Sequence, residues 1–268
     1  MRRSAILVSL FTLTAVAILA ASDGSASLKS ANKLFAEQSW QMALDQYNQI
    51  RADESATSAT RREALMRAGW CLVELHRPDE AQRALQQVLV EGESDEWAGR
   101  AHWLLARLTM NYAPGGDQRT TMIEHIRRAE SHMANAPASE RRDFYRWVAY
   151  DIAGHIYFDR EEDRAYVFGF YDKLIPLLED EQQVAEAHLR RADISYYVKG
   201  SRDTDAWIAA LRLIAREFPR TPSAPDALMR VAQHFMSQND LPAAAAEYDR
   251  IAREWPSRRQ SKEAARMA

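Results

Sequence analysis

One spacing of small and large apolar residues recurs in this chain, most clearly in two copies. In both copies the steps between successive residues are three, one, three, nine, four and three. The first copy is Leu65, Ala68, Gly69, Leu72, Ala81, Leu85 and Val88; the second is Leu228, Val231, Ala232, Phe235, Ala244, Tyr248 and Ile251. Self-similarity of this kind restricts a chain to architectures built from stacked repeating units. The spacing therefore predicts a repeat protein.

The same steps predict the structure of each unit. Residues three or four apart share one face of an α-helix, so the first four positions mark one helix and the last three mark another. The step of nine spans a turn, and Pro78 and Pro242 fall in the opening turn of the second helix, where a missing N–H costs nothing. Gly69 and Ala81 stand where the two helices would cross most closely. Each unit is thus predicted to be an antiparallel helix hairpin.

Further copies of the spacing extend this prediction along the chain. A third exact copy consists of Ser27, Ser30, Ala31, Leu34, Ala43, Tyr47 and Ile50. Three looser copies pair residues 98–105 with 120–134, 150–157 with 167–174, and 189–196 with 207–214. No segment alternates with a period of two for long enough to indicate a β-sheet. We therefore expect an all-α solenoid of about six hairpins over residues 27–258.

The large-small-large pattern resembles the tetratricopeptide repeat (TPR), whose hairpins often close with a proline. The closing prolines here stand in Glu217-Phe218-Pro219 and Glu254-Trp255-Pro256. The junction over residues 218–228 further resembles those of bacterial envelope proteins of the outer-membrane assembly lipoprotein (BamD) and Tol-Pal accessory (YbgF/CpoB) types. This resemblance implies a right-handed superhelix whose first helices line a concave, partner-binding side. Val167 and Trp207 depart from the pattern, since a small residue is usual at their positions.

Capping patterns predict where the last helices begin. Ser223 is followed three residues later by Asp226, and Ser257 by Gln260, which is the spacing of a helix N-cap. We therefore expect one helix to start at Ser223 and a further helix near residue 258. The segment 259–268 then either caps the stack or begins a truncated repeat.

The first residues of the chain are typical of an export signal. Two arginines precede an uncharged, largely apolar run over residues 4–22. Cleavage before Asp23 is our first choice and cleavage after Ala26 our second, while an uncleaved membrane anchor stays open. The segment 1–22 predicts a periplasmic or secreted protein that contacts the membrane only through this end, if the end is retained. The single cysteine, Cys71, lies in a repeat helix, so we expect a buried, inert thiol.

Composition and motifs argue against several functions. The formal net charge is −3 and arginines alternate with acids, so nucleic acid is a poor partner. The histidines form no metal-binding cluster, Gly115 and Gly116 are not followed by the Lys-Ser or Lys-Thr of a phosphate loop, and we expect no cofactor. Acidic stretches at 159–163 and 179–181 leave an all-helical, toroid-like carbohydrate-processing enzyme as the alternative. A self-associating structural protein is a third possibility.

The remaining candidate for a functional site is the surface formed by the first helix of each hairpin. Aromatic and arginine side chains on such a surface are the usual anchors of a protein interface. The predicted partner-binding residues are Trp70, Glu74, Trp103, Arg107, Asp151, His155, Arg190, Tyr197 and Gln233, with Ile194 and Met236 beside them. Trp70 and Trp103 are equally consistent with packing between repeats. The sequence thus predicts a non-catalytic scaffold of the bacterial cell envelope that binds a protein or peptide.

Overall fold

The structure is a computed structural model that describes residues 27–92, 95–112, 116–152, 161–197 and 203–267. All regular structure in these ranges is helical. The predicted signal segment 1–22 lies outside the described residues. Within those ranges, no helix combines the length and hydropathy needed to cross a bilayer. The chain divides between Ala136 and Pro137 into two compact units, which are described separately.

The first unit contains three helix hairpins. Its helices are α1 (27–36), α2 (Trp40–Ala52), α3 (Ser58–Glu74), α4 (Pro78–Glu91), α5 (Glu96–Tyr112) and α6 (Gly116–Met133). The hairpins are α1–α2, α3–α4 and α5–α6, and each second helix also packs against the first helix of the next hairpin. Because α3 also contacts α5, the first helices of successive hairpins lie side by side.

The second unit repeats this arrangement. Its helices are α7 (Ala138–Trp147), α8 (Glu161–Leu174), α9 (Glu181–Tyr197), α10 (Thr204–Glu217), α11 (Ser223–Ser237), α12 (Leu241–Glu254) and α13 (Arg259–Met267). The π-helical turn Val148–Ile152 extends α7, and the 3₁₀ turn Ile175–Leu177 follows α8. The hairpins are α7–α8, α9–α10 and α11–α12, and α13 packs on α12 and α11.

The residues of the repeat spacing form the buried seams of these hairpins. All seven residues of the first copy are buried, and so are all residues of the second copy except the half-buried Phe235. Gly69 shows why a small residue is required, since a Cβ there would lie 2.8 Å from Cδ2 of Leu85. The predicted all-α fold of about six TPR-like hairpins is confirmed, with three hairpins in each unit.

The fourth hairpin differs from its prediction at its first helix. The spacing placed this helix over residues 150–157, of which only 150–152 are described, whereas the described helix already begins at Ala138. The buried residues Tyr145, Val148, Ala149 and Ile152 repeat the steps of three, one and three. The register of the first helix therefore lies five residues earlier than the predicted one, which began at Tyr150.

The predicted N-cap at Ser223 is wrong, although helices do begin where both capping patterns placed them. Ser223 is the first residue of α11, its hydroxyl accepts a hydrogen bond from Gln182 at 3.2 Å, and Pro222 provides no side-chain cap. Asp226 accepts from Gln260 at 2.6 Å. These polar side chains join α11 to α9 and to α13, because the start of α11 lies against both helices.

The turns of three hairpins share a left-handed residue at the same position. Gln38, His76 and Asn239 have φ values of 58°, 57° and 59°. The next amide reaches back to the carbonyl five residues earlier, as in Ser39 N to Leu34 O at 2.9 Å. This geometry ends a helix with a Schellman motif, for which glycine is the usual residue.

Replacing Gln38 by glycine is therefore expected to raise the free energy of unfolding by about 0.5–1 kcal/mol. Glycine adopts the left-handed conformation without the steric cost that a Cβ imposes, and this gain exceeds the entropy that glycine adds to the unfolded chain. Urea unfolding followed by circular dichroism measures the difference. Gln86→Gly, on the exposed side of α4, is the control and should lower the stability by about 1 kcal/mol. A loss of stability in both variants would contradict the prediction.

Candidate functional site

The first helices of the hairpins form one face of each unit. In the first unit these helices are α1, α3 and α5, and in the second they are α7, α9 and α11. We call each surface the A face of its unit. The predicted partner-binding residues that the structure describes all lie on these helices or on the π-helical turn that extends α7.

A row of aromatic rings crosses the A face of the first unit. The ring centroids of Phe35 and Trp70 lie 5.5 Å apart, and those of Trp70 and Trp103 lie 5.5 Å apart, both edge to face. Trp103 is only 5% exposed, whereas Phe35 and Trp70 are half-buried. Trp103 is therefore better described as a residue that packs between repeats. Phe35 and Trp70 are the members of the row that a partner can reach.

A carboxylate joins this row to an arginine. Glu74 Oε1 accepts a hydrogen bond from Trp70 Nε1 at 3.1 Å and another from Arg107 Nη1 at 3.2 Å. Both charged side chains are about one quarter exposed, so the charge-assisted bond is partly shielded from water. Trp70, Glu74, Trp103 and Arg107, predicted separately from the sequence, are thus brought together across α3 and α5.

Arg67 forms a second polar centre that was not predicted. Its Nε donates to Glu63 Oε1 at 2.8 Å, and its guanidinium lies 5.5 Å from the ring centroid of Phe35. Asn32 donates to the same Glu63 oxygen at 3.4 Å, which links α1 to α3. A signal was available, because Arg67 and Arg230 each stand two residues after the first position of their repeat copies.

The A face of the second unit is richer in arginine. The guanidinium of Arg190 lies 4.5 Å from the ring centroid of Tyr150, a cation–π contact, and Arg190 pairs with Glu186 at 2.9 Å. Burial raises the pKa of Tyr150, and Glu186 adds to the rise. Tyr150 belongs to the π-helical turn after α7, so that turn presents the ring to Arg190 on α9.

Two more arginines extend this surface. Arg230 on α11 forms an ion pair with Asp193, which also accepts from Trp207 Nε1 at 3.4 Å. Arg146 on α7 donates to Gln183 at 2.9 Å. Burial lowers the pKa of Arg230, and the nearby positive charge of Arg190 lowers it further. Each first helix of the second unit therefore carries an arginine that bonds to a side chain of its own helix or of the neighbouring first helix.

The other predicted site residues are distributed as follows. Asp151 is exposed in the π-helical turn, Arg190 is exposed on α9, and Gln233 is exposed on α11. Of their neighbours, Ile194 is half-buried and Met236 is exposed. His155 and the side chain of Tyr197 lie outside the described part of the chain. Partner binding by these residues stays a prediction.

A cleft of about 710 Å³ lies in the first unit, away from the aromatic row. Arg51, Arg61 and Arg62 line it together with Glu91 and Asp95. Arg61 donates to three carbonyls of the α2–α3 connection and Arg62 to the carbonyl of Gly92, so two of these cations are engaged by the backbone. Asp95 accepts from Arg62 and from the amide of Ala98. Much of the described lining of the cleft is therefore engaged in contacts within the unit.

Metal-ligating and nucleophilic side chains of the described ranges do not form a reactive site of their own in the arrangement seen. Across the described ranges, no three or more His, Cys, Asp or Glu side chains are placed to hold a metal ion. Cys71 is buried in α3, and burial raises the pKa of its thiol to about 12. The thiol is therefore protonated at neutral pH, which matches the inert packing role expected from the sequence.

The solved structures to which the chain is similar match it at low TM-scores and low sequence identity. No protein-family model and no curated protein matches the chain. The C-terminal part of a TPR repeat-containing protein from Cytophaga hutchinsonii gives a TM-score of 0.41 at 13% identity, covering 88% of this chain and 98% of that one. A thermophilic TPR protein from Thermus thermophilus gives 0.30 at 18% identity, covering 77% and 98%. An assembly chaperone of RpL4 gives 0.33 at 18% identity, covering 87% and 76%.

Proposed function

We propose that this chain is a non-catalytic scaffold that binds a protein or an extended peptide through its A faces. The observation that carries the proposal is the group formed by Trp70, Glu74 and Arg107 beside Phe35. Two of the four are aromatic and one is arginine, the residue types that dominate binding energy at interfaces. The hydrogen bonds that Glu74 accepts from Trp70 and Arg107 hold these side chains in one arrangement, so little side-chain entropy would be lost on docking.

The two A faces supply different chemistry to a partner. In the first unit, half-buried rings alternate with the paired charges of Glu63, Arg67, Glu74 and Arg107. In the second unit, Arg190 lies over Tyr150, and Arg146 and Arg230 each bond to a polar side chain of α9. Apolar side chains of a partner would complement the first face, and carboxylates of a partner would complement the second.

The cellular setting is part of the proposal. The charged start and the apolar run of residues 1–22 support export to the cell envelope, either as a free periplasmic or secreted protein or with an uncleaved anchor. The resemblance of residues 218–228 to envelope TPR proteins supports a role in envelope or outer-membrane assembly. The partner is accordingly sought among envelope proteins.

Affinity capture from an envelope fraction tests the proposal. The mature chain, Trp70→Leu, Arg107→Ala and the control Arg83→Ala are used as baits; Arg83 lines a different cleft on the second helices α2 and α4. A partner recovered with the wild type and with Arg83→Ala should bind each A-face variant about tenfold or more weakly, since anchor residues contribute at least ~1.4 kcal/mol. Isothermal titration with the identified partner gives the affinities.

Unchanged affinity in both A-face variants would overturn the assignment of the surface. Circular dichroism melts of all baits show whether the variants fold, and Arg107→Ala is the more informative of the two because its side chain is not part of the core cluster. Turnover of an oligosaccharide by the purified chain would instead favour the carbohydrate-processing alternative.

A further inference from the structure

Two imidazoles meet across the seam between α5 and α6. His102 on α5 is 2% exposed and His125 on α6 is half-buried. Their Nδ1 atoms lie 2.9 Å apart, which is hydrogen-bond distance. A bond between two such nitrogens requires one to carry a proton and the other a lone pair. The histidine pair can therefore exist when both rings are neutral or when one is charged, and it breaks when both are charged.

The surroundings of the histidine pair make protonation unfavourable. Arg128 and His132 lie beside His102, and Arg128 and Glu124 lie beside His125, all of them on α6. Glu124 already pairs with Arg128 at 2.6 Å, so it offers little compensation to a protonated ring. No carboxylate of α5 or α6 hydrogen-bonds either imidazole in the part of the chain that the structure describes.

The charged groups of the other elements packed against α5 do not stabilise a protonated imidazole either. Their charged and titratable groups near α5 include Arg62 with Asp95, Glu74 with Arg107, Arg67 with Glu63, Glu91 on α4, and His76 with Tyr112. The members of these groups that belong to α5 or directly precede it are Asp95, Arg107 and Tyr112, and each stands five or more residues from His102. At 1.5 Å per residue this is about 7 Å or more along the helix axis. The pair is therefore buried among groups that favour its neutral form.

These surroundings set the direction in which pH acts. Burial, followed by the charges of His125, Arg128 and His132, lowers the pKa of His102 to about 4 from the usual 6.5. Burial likewise lowers the pKa of His125. A histidine whose pKa is lowered by folding leaves stability intact above the unfolded value, near 6.5, and removes stability as the pH falls towards the folded value. For His102 alone, this amounts to roughly twentyfold in the folding equilibrium between pH 7 and pH 5.

We infer that the histidine pair is an acid-sensitive switch that controls the A face of the first unit. His102 is followed directly by Trp103, and Arg107 lies on the same helix, so α5 carries both a packing residue and a charged residue of that face. Gly99 fits α5 so closely against His132 of α6 that no Cβ can be accommodated there. When the pair takes up two protons, α5 loses its attachment to α6 and the contacts of Trp103 and Arg107 with α3 are lost. Control of partner binding rests on the proposed function; control of the α5–α6 seam does not.

Hydrogen exchange of the full chain, followed by mass spectrometry at pH 7 and pH 5 and corrected for intrinsic rates, tests the switch. In the wild type, protection over residues 96–133 should fall about tenfold or more at pH 5, while residues 223–254 change less. The variant His102→Gln with His125→Gln keeps two side chains that can hydrogen-bond but cannot be charged, and should lose the pH response. His76→Gln, an exposed histidine of the same unit, is the control and should retain it.

An equal fall in wild type and in the double glutamine variant would overturn the switch, and so would the absence of any fall in the wild type. If the double variant does not fold, a ¹³C NMR titration of the wild-type imidazoles decides, because an ordinary pKa near 6.5 for His102 would refute the inference. Partner captured at pH 7 should leave the wild type at pH 5 and stay on the double variant. A pH-dependent seam with pH-independent capture would overturn only the link to the A face.

Discussion

Leu85→Ala is expected to lower the free energy of unfolding by about 3–4 kcal/mol, because Leu85 is fully buried at the crossing of α3 and α4. Gly69→Ala should cost only about 1 kcal/mol. Its new Cβ would lie 2.8 Å from Leu85 Cδ2, but alanine also favours the helix by a similar amount. The double variant should lose at least about 1 kcal/mol less than the sum of the two single losses, since the added methyl occupies part of the space left by Leu85.

Urea unfolding of the four proteins gives this coupling energy directly. Leu89→Ala, a half-buried leucine on the same helix, is the control and should show no coupling with Gly69→Ala. If the losses of Gly69→Ala and Leu85→Ala simply add in the double variant, the two residues are not in close contact where α3 and α4 cross.

The pairing of α3 with α4 could be predicted because the information is local. Residues three and four apart determine which side of a helix is apolar, and the small residue at Gly69 marks the crossing. In the fourth hairpin the steps of three, one and three occur in two registers, one that starts at Tyr145 and one that starts at Tyr150. The buried residues belong to the first register, from which the step to Val167 is fifteen residues instead of nine. The spacing alone therefore did not decide between the two, and the start of this hairpin was missed.

The candidate site was predictable to a smaller extent, for a different physical reason. Spacing identifies the helix face of a residue, which was enough to bring Trp70, Glu74 and Arg107 together. Spacing does not determine how far a side chain is covered by the next helix, so the burial of Trp103 did not follow from the sequence. It also does not identify partners on other helices. The Phe35–Arg67 contact and the His102–His125 bond depend on the register between helices, which no local pattern contains.

A second large effect is expected from Arg212→Met, which should lower the free energy of unfolding by about 2–3 kcal/mol. Glu247 occupies the repeat position held by Ala84 in the first copy, and its side chain is only 8% exposed. Its Oε1 accepts two bonds from Arg212, at 2.8 and 2.5 Å, and its Oε2 has no hydrogen-bond partner within the described ranges. Removing Arg212 would leave a buried carboxylate without a counter-charge, which costs far more than the pair contributes.

The matched control is Arg216→Met on the same helix α10. Arg216 pairs with Glu217 in an exposed position, and such surface pairs contribute about 0–1 kcal/mol. The double variant Arg212→Met with Glu247→Met should recover most of the loss, because two apolar side chains then replace a pair that is costly to desolvate. Equal losses for Arg212→Met and Arg216→Met in urea unfolding would contradict this account of Glu247. The expected recovery in the double variant would show that the second unit retains the ion pair at a cost in stability. The first repeat copy has alanine at the position of Glu247.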